Sequence, residues 1–376
     1  MADDSSDVRF GVEEEFLVVD PVTRAVVPLA APVISRAVDE LGARVGGEIT
    51  KLQVEARTLP CHTTAALHTQ LVQGRSALAT AATAERLRIV ATGSPVLGQV
   101  FPPPITTGPR QDQGTATFRG LHDDLGICAV HVHVELPDRD RAVLVSNHLR
   151  PHLPVLIALT ANSPYWDGRD TGYASWRTVT WGQWPVAGPP PRMRDAAHYD
   201  QLVATLLDAG TLVDVGTLFW DIRLCAHQPT LEVRVADVPM TADESAAFAA
   251  LVRALVIVAD RAVDRGDPGP EISAELMRAA YWRAARDGFA GSGIDVTTGR
   301  LVPAATLADR LLRIARPALV ELDDLVRVES WLRRLAVDAD GASRQRRAAT
   351  GPDGLAGIVD HLVEQTQRQQ PMSTYA

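Results

Sequence analysis

Four segments of the chain alternate apolar and polar residues with a period of two, the spacing that sends successive side chains to opposite faces of a strand. They are residues 10–19, 48–58, 126–136 and 230–235. Apolar positions recur at helical spacing over 64–91, 139–161, 195–209, 243–265, 271–288 and 317–338. Thr241-Ala-Asp-Glu244 carries the side chains of a capping box at the start of the fourth helix, and Gly288 supplies a stop for the fifth. Strands separated by long helices and loops, without regular β-α-β spacing, predict an α+β fold rather than a doubly wound parallel sheet. With no internal repeat and no interdomain linker in the pattern, one domain over residues 1–376 is expected, strand-rich in its first half and helix-rich in its second. Two Pro/Gly-rich stretches, 93–109 and 184–191, are long enough to wall or cover a site.

The polar faces of the four strands carry an unusual set of residues. Glu13 and Glu15 share one face of the first strand, with Glu14 on the other. Lys51, Gln53, Glu55 and Arg57 share a face of the second, and His131, His133 and Glu135 project together from the third. Glu232 and Arg234 do so from the fourth. One such strand means only that one side meets water. Four together are different, because carboxylates crowded on one face repel unless cations neutralise them. Strands that turn these faces to a common cavity would hold divalent metal, with arginine available for phosphate. The oxygen donors suit Mg²⁺ or Mn²⁺. A competing reading takes His131-Val-His133-Val-Glu135 as the metal centre of an oxygenase or hydrolase. It leaves the Glu13/Glu15 pair without a role.

Composition narrows the field. The net charge of −9 and the absence of a basic stripe argue against nucleic-acid binding. No apolar run approaches the roughly 18 residues of a membrane span; the best are short, such as 155–159 and 255–259. The acidic N-terminus has neither the basic nor the apolar region of a signal peptide, so a cytoplasmic location is expected. Cys61, Cys128 and Cys225 are far apart, which argues against a disulfide scaffold or a thiolate zinc cage. Lys51 is the only lysine, and the residues around it do not form a G-K-[ST] phosphate loop. Nucleotide handling therefore has to rely on metal and arginine, with Lys51 the one lysine candidate.

With those residues in hand, the chain resembles the carboxylate–amine ligase family related to the second, bacterial type of glutamate–cysteine ligase, within the glutamine synthetase-like superfamily. The resemblance rests on an ordered series. It begins with Gly11-Val-Glu-Glu-Glu-Phe, Gln53-Val-Glu55 and His131-Val-His-Val, and continues with the run from Ser163-Pro-Tyr-Trp to Arg177 and with Trp184-Pro-Val-Ala-Gly-Pro-Pro-Pro. Trp220-Asp-Ile-Arg223, Thr230-Leu-Glu-Val-Arg-Val-Ala-Asp237 and Gly341-Ala-Ser-Arg-Gln-Arg-Arg347 complete it. It implies a curved antiparallel sheet forming a funnel, with helices packed outside, that holds ATP and divalent metal. It further implies phosphorylation of glutamate's γ-carboxylate and transfer of the acyl group to an amine, with release of ADP and phosphate. Under the resemblance, Glu13, Glu15, Glu55, His131 and Glu232 are metal ligands. Arg234 meets phosphate, with Arg223 and Lys51 as further nucleotide candidates. Arg169, Tyr173 and Arg177 fall in a substrate-recognition stretch, with His133 and Glu135 beside it. Glu13, Glu15, Arg234 and Arg177 are the expected catalytic set. The expected partners are ATP, glutamate and an amino acid or amine, with a homo-oligomer open.

The chain departs from the family pattern in three places. Glu135 stands where glycine is usual, the stretch after Gly93 lacks a Thr-His-Pro segment, and Leu224-Cys-Ala-His227 replaces a Pro-Ser turn. These changes spare the metal carboxylates and suggest an acceptor other than cysteine. A catalytically silent relative, the remaining alternative, would be expected to have lost those carboxylates.

Overall fold

The computed structural model describes residues 8–98, 100–123 and 125–368. The N-terminal segment on which the signal-peptide expectation rested lies outside them. β1 (Phe10–Val19) is followed by α1 (Ala30–Leu41), β2 (Val45–Gly47), β3 (Gln53–Arg57), α2 (Thr64–Ala84) and β4 (Arg88–Val90). Next come α3 (Pro109–Phe118), β5 (Ala129–Glu135), α4 (Arg139–Leu149) and α5 (Leu153–Thr160). Short pieces follow: β6 (Tyr165–Trp166), β7 (Arg169–Asp170), α6 (Trp176–Trp181), β8 (Ala187–Gly188), α7 (Ala196–Asp208) and β9 (Phe219–Trp220). β10 (Ile222–Leu224) and β11 (Thr230–Asp237) lead into α8 (Ala242–Asp264) and α9 (Ala274–Asp287). The hairpin β12 (Ser292–Asp295) and β13 (Arg300–Pro303) precedes α10 (Ala304–Glu321), α11 (Leu325–Asp338), α12 (Gly341–Ala349) and α13 (Gly354–Gln367). No helix among the described residues is long and apolar enough to cross a membrane.

The main sheet has seven strands in the order β10-β11-β5-β1-β3-β2, with β4 also pairing β1, and every pairing is antiparallel. This is the expected α+β class. The alternation of the strands explains the layering. Val12, Val132, Val134, Leu231 and Val233 are buried in one core that includes Phe248 and Leu251 of α8. Phe16, Val54 and Ile89 join a second core with residues of α1, α2 and α13. The polar side chains of the same strands are left facing the other way.

The helix boundaries differ from expectation where local chemistry intervenes. The pattern over 64–91 contains a helix that stops at Ala84 and a strand, β4. The pattern over 139–161 is two helices, broken by a 3₁₀ turn at Arg150–His152 with prolines at 151 and 154. Pro317 does not start a helix but lies inside α10 near its C-terminal end, where its missing N–H costs one bond. The capping box at Thr241 and the stop at Gly288, with its φ of 60°, form as expected.

Glu14, on the apolar side of β1, is 1% exposed and is gripped by Arg75 of α2 at 2.5 and 3.0 Å. Ser245 of α8 donates to the same carboxylate at 2.5 Å, and Arg75 also donates to the Met240 and Pro239 carbonyls. One ion pair thus pins β1 to two helices. Removing one partner of a buried pair leaves an uncompensated charge, so Arg75→Ala is expected to lower stability by ~3–5 kcal/mol. Arg9→Ala, which breaks the partly exposed Arg9–Glu135 pair, is expected to cost no more than ~1 kcal/mol. Urea titration of both variants checks the contrast.

Candidate active site

Strand register brings the polar residues together. Glu13 lies opposite Arg57 of β3 on one side and opposite His131 of β5 on the other. Glu15 faces Glu55, and Glu232 faces both His133 and Arg223. A register irregularity between Val233 and Ala236 interrupts the β11–β5 pairing next to Arg234. Glycine matters at position 46, opposite Glu55. A Cβ there would come within 2.5 Å of Arg57 Nη2, so the bare backbone leaves room for Arg57 to fold onto Glu55.

A cavity of about 700 Å³ lies against these strands, and of the polar residues just named Glu232 and His133 are not part of its lining. Glu13, Glu15, Glu55, His131, Arg177, Arg223 and Arg234 all line it. His131 Nδ1 is 3.3 Å from Glu13 Oε2 and its Nε2 is 3.7 Å from Glu15 Oε1. One donor atom each from Glu13, Glu55 and His131 lie within 4.8 Å of one another, as do donors of His133, Cys225 and Glu232. The two histidines fall in different donor groups, although both stand within 3.9 Å of the same oxygens, Glu13 Oε2 and Glu232 Oε1.

Cationic groups and protons compensate the carboxylates. Arg57 holds Glu55 at 2.5 Å, and Arg223 holds Glu232 at 2.6 Å. Arg234 also grips Glu232 and reaches His131 Nδ1 at 3.4 Å. Burial, reinforced by Glu55, raises the Glu15 carboxyl to about 7 even though the Ala129 N–H donates to it at 2.8 Å. Glu48 is raised to about 8 by burial and by Glu15. Glu55 is held well above the carboxylate range by burial, Glu48 and Glu13. Burial and Arg234 lower His131 to about 4. His133 is raised to about 10, because Cys225, Glu13 and Glu232 outweigh its burial. Burial opposes ionisation of Glu13, but the adjacent His131 and His133 rings hold it below its usual range. Burial likewise opposes ionisation of Glu232, and Arg234 and Arg223 keep it ionised.

The donor set fits cations and anions together. Oxygen-rich ligation with one imidazole suits Mg²⁺ or Mn²⁺, and a bound cation would take the place of the protons that burial otherwise holds on these carboxyls. On the opposite count, Arg177 Nε, Arg234 Nε and the indole N–H groups of Trp181 and Trp184 are buried donors without a protein partner. All four residues line the cavity, and Trp181 and Trp184 pack with Phe118 and Phe219 into an aromatic wall.

A model of "Glutamate-cysteine ligase family 2" matches residues 9–364. The chain belongs to this family. A provisionally named glutamate–cysteine ligase 2-1 of Nocardia farcinica is 44% identical over 94% of this chain and 91% of its own. A protein of the same provisional name from Saccharopolyspora erythraea is 42% identical over 96% and 95%. Among solved structures, the fold is similar to a bifunctional glutathione synthetase from Pasteurella multocida, with a TM-score of 0.71 at 14% identity, over 96% of this chain and 52% of that one. It is also similar to glutamate–cysteine ligase from Francisella tularensis in complex with AMP, with a TM-score of 0.65 at 12% identity, over 97% and 90%. The protein is accordingly an enzyme, a carboxylate–amine ligase of the glutamate–cysteine ligase type.

Several sequence-derived candidates lie away from the ligase cavity. Lys51 sits in the turn before β3, where its backbone bonds to Pro104 and Ala30, and it does not line the cavity. Arg169 is exposed and stacks over Trp176, while the Tyr173 hydroxyl accepts from Trp282 Nε1; neither lines the cavity. Glu135, at the end of β5, is drawn outward to Arg9 at 2.5 Å. It does not line the cavity, and among the described residues of the three departures His227, in the 224–227 turn, is the one on the cavity wall. Arg177 is placed there because Asp237 accepts from Asn162 N, Ser163 Oγ and Ser175 Oγ at 2.7–2.8 Å, which fixes the chain on either side of it. Its guanidinium donates to the Arg234 and Val235 carbonyls. Glu48 was missed because alternation over 48–58 puts it on the face of Leu52 and Val54, away from Glu55, whereas β3 begins only at Gln53 and Glu48 lies before it. Its signal was a lone acid five residues before the β3 motif.

Sequence-distant carboxyls that keep their protons make stability depend on pH. Glu15 and Glu48 stay protonated in the folded protein to about 7 and 8 but ionise near 4.5 in the unfolded chain. Their contribution is therefore present below 4.5 and is lost as pH rises through the folded values. His131, lowered to about 4, works the other way up to about 6.5, whereas His133, raised to about 10, loses its contribution above 6.5. Between pH 6.5 and 8 these terms act in the same direction. In chelator, Tm is expected to fall over that window, and Glu48→Gln should shrink the fall; calorimetry at matched ionic strength measures both.

Proposed function

We propose that the protein is an ATP-dependent ligase that forms a γ-glutamyl amide through an acyl phosphate, using Mg²⁺ or Mn²⁺. The observation that carries this reading is the meeting of Glu13, Glu15, Glu55 and His131 with Arg177, Arg223 and Arg234 around one cavity. A carboxylate resists attack by an amine because the attack adds negative charge. Transfer of a phosphoryl group from ATP forms an O–P bond on the γ-carboxylate and breaks the bond to ADP. The amine nitrogen then bonds to the acyl carbon, loses a proton, and phosphate departs. Both steps bring anions together, so the site must supply compensating charge and fixed orientation.

Glu13, Glu15, Glu55, His131 and Glu232 would hold the cations, which supply charge neutralisation and alignment of the phosphates. Arg234, with its unpaired Nε, and Arg223 are positioned for phosphate. Arg177 presents its free Nε to the acid substrate. The wall of Phe118, Trp181, Trp184 and Phe219 keeps water from a hydrolysable intermediate. His227 at the cavity wall, in a turn unlike the family's usual one, supports an amino-acid acceptor other than cysteine.

ADP release measured with and without glutamate tests the reaction. It is expected to depend on glutamate, an amine and divalent metal, and to stop in chelator. Glu15→Gln should lower kcat/KM by more than the ~10–100-fold that follows loss of an outer-shell partner; a full rate in that variant would refute the metal role. Mass analysis of products from a panel of amino acids tests the acceptor, and cysteine as clearly the best amine would refute the altered-acceptor reading.

A further inference from the structure

The second donor group differs in kind from the first. Glu13, Glu55 and His131 offer mostly hard oxygen, whereas His133, Cys225 and Glu232 offer one nitrogen, one sulfur and one oxygen within 4.8 Å of one another. We propose that His133, Cys225 and Glu232 form a second site for a thiophilic divalent cation of the zinc type, beside the carboxylate-rich cavity and sharing Glu232 with its cation ligands.

Cys225 alone would not carry this. The second observation is His133, which is 8% exposed and whose Nε2 has no hydrogen-bond partner. Its Nδ1 is engaged by Thr230 Oγ1 at 3.0 Å, which fixes the ring and leaves Nε2 free. That free nitrogen lies 3.9 Å from Glu232 Oε1 and 3.6 Å from Glu13 Oε2. These separations are too long for hydrogen bonds and suit donors around an ion. At zinc bond lengths the edge of a tetrahedron is about 3.3–3.7 Å, so small side-chain rotations close the ligand set. Cys225 is half-buried, at the turn between β10 and β11.

Charge permits a cation despite the neighbouring arginines. Arg223 and Arg234 both pair with Glu232, while Glu13, Glu232 and a metal-bound thiolate supply three anions. Ligand chemistry then sets the preference, since thiolate selects zinc-like ions over magnesium. Glu232 is also 3.9 Å from His131 Nδ1, so an ion that draws it toward Cys225 takes it from the cavity's cation ligands. The consequence, which rests on the ligase reading, is inhibition by zinc that excess magnesium does not relieve.

Cobalt(II) titration of the full chain, without ATP or glutamate, tests the site whatever the ligase assay gives. The wild-type protein is expected to bind Co²⁺ with thiolate-to-cobalt charge-transfer absorption, and Zn²⁺ should displace it. Cys225→Ser and Cys225→Ala should abolish the band and weaken Zn²⁺ binding at least tenfold in competition with a chromophoric chelator. Cys61→Ser, remote from the cavity, should keep the band, with folding of each variant verified by its melting curve. Absence of the band from the wild type, or its persistence in either Cys225 variant, overturns the proposal.

Discussion

The structure turns on the antiparallel pairing of β1 with β3 and β5, which forces acidic side chains from distant parts of the chain into one space. Glu13 against His131 and Arg57, and Glu15 against Glu55, are consequences of register alone. Such crowding is tolerable only with compensation, and each carboxylate has some: Arg57 at Glu55, Arg223 and Arg234 at Glu232, histidines at Glu13, and a retained proton at Glu15. The compensation is also what makes the site responsive, because protons and arginines can give way to other positive charge.

Behind the cavity, a second polar network holds the geometry. Asp237 at the end of β11 ties down Asn162, Ser163 and Ser175, and Gln345 of α12 donates to Asn162 and Thr92. Gly341 stands where a Cβ would come within 2.4 Å of Asn162 Oδ1. The late arginines beside it have structural partners: Arg344 pairs with Glu244, Arg346 with Asp170, and Arg347 with the Asp338 carbonyl. Contacts of Arg346 with Asp170 and Tyr173 tie the 341–347 segment to the 163–177 stretch that carries Arg177 against the sheet.

Period-two alternation made the strands of the sheet legible, together with which of their residues share a face. It could not show where a face leaves the cavity. Glu135 has the right parity, yet at the strand end Arg9 is close enough to take it outward. Lys51 belongs to the turn before β3, where strand parity no longer governs direction. Arg169 and Tyr173 follow the motif in sequence, but only Arg177 is carried back to the sheet. Glu48 lies beyond the reach of the same rule, since two glycines and a turn, rather than a pleat, aim it inward. The aromatic wall gathers residues from α3, α6, β9 and the loop at Trp184, a convergence that no local pattern encodes.

The strands at the margins, β2, β4 and β10, are each three residues long. A neighbouring molecule seeking to extend the sheet finds a template of at most three residues at each, too short to hold a register. The long, well-matched strands lie in the interior, where both sides are already paired. A chain built around so large an antiparallel sheet thereby resists stacking edge to edge with its own copies while folded.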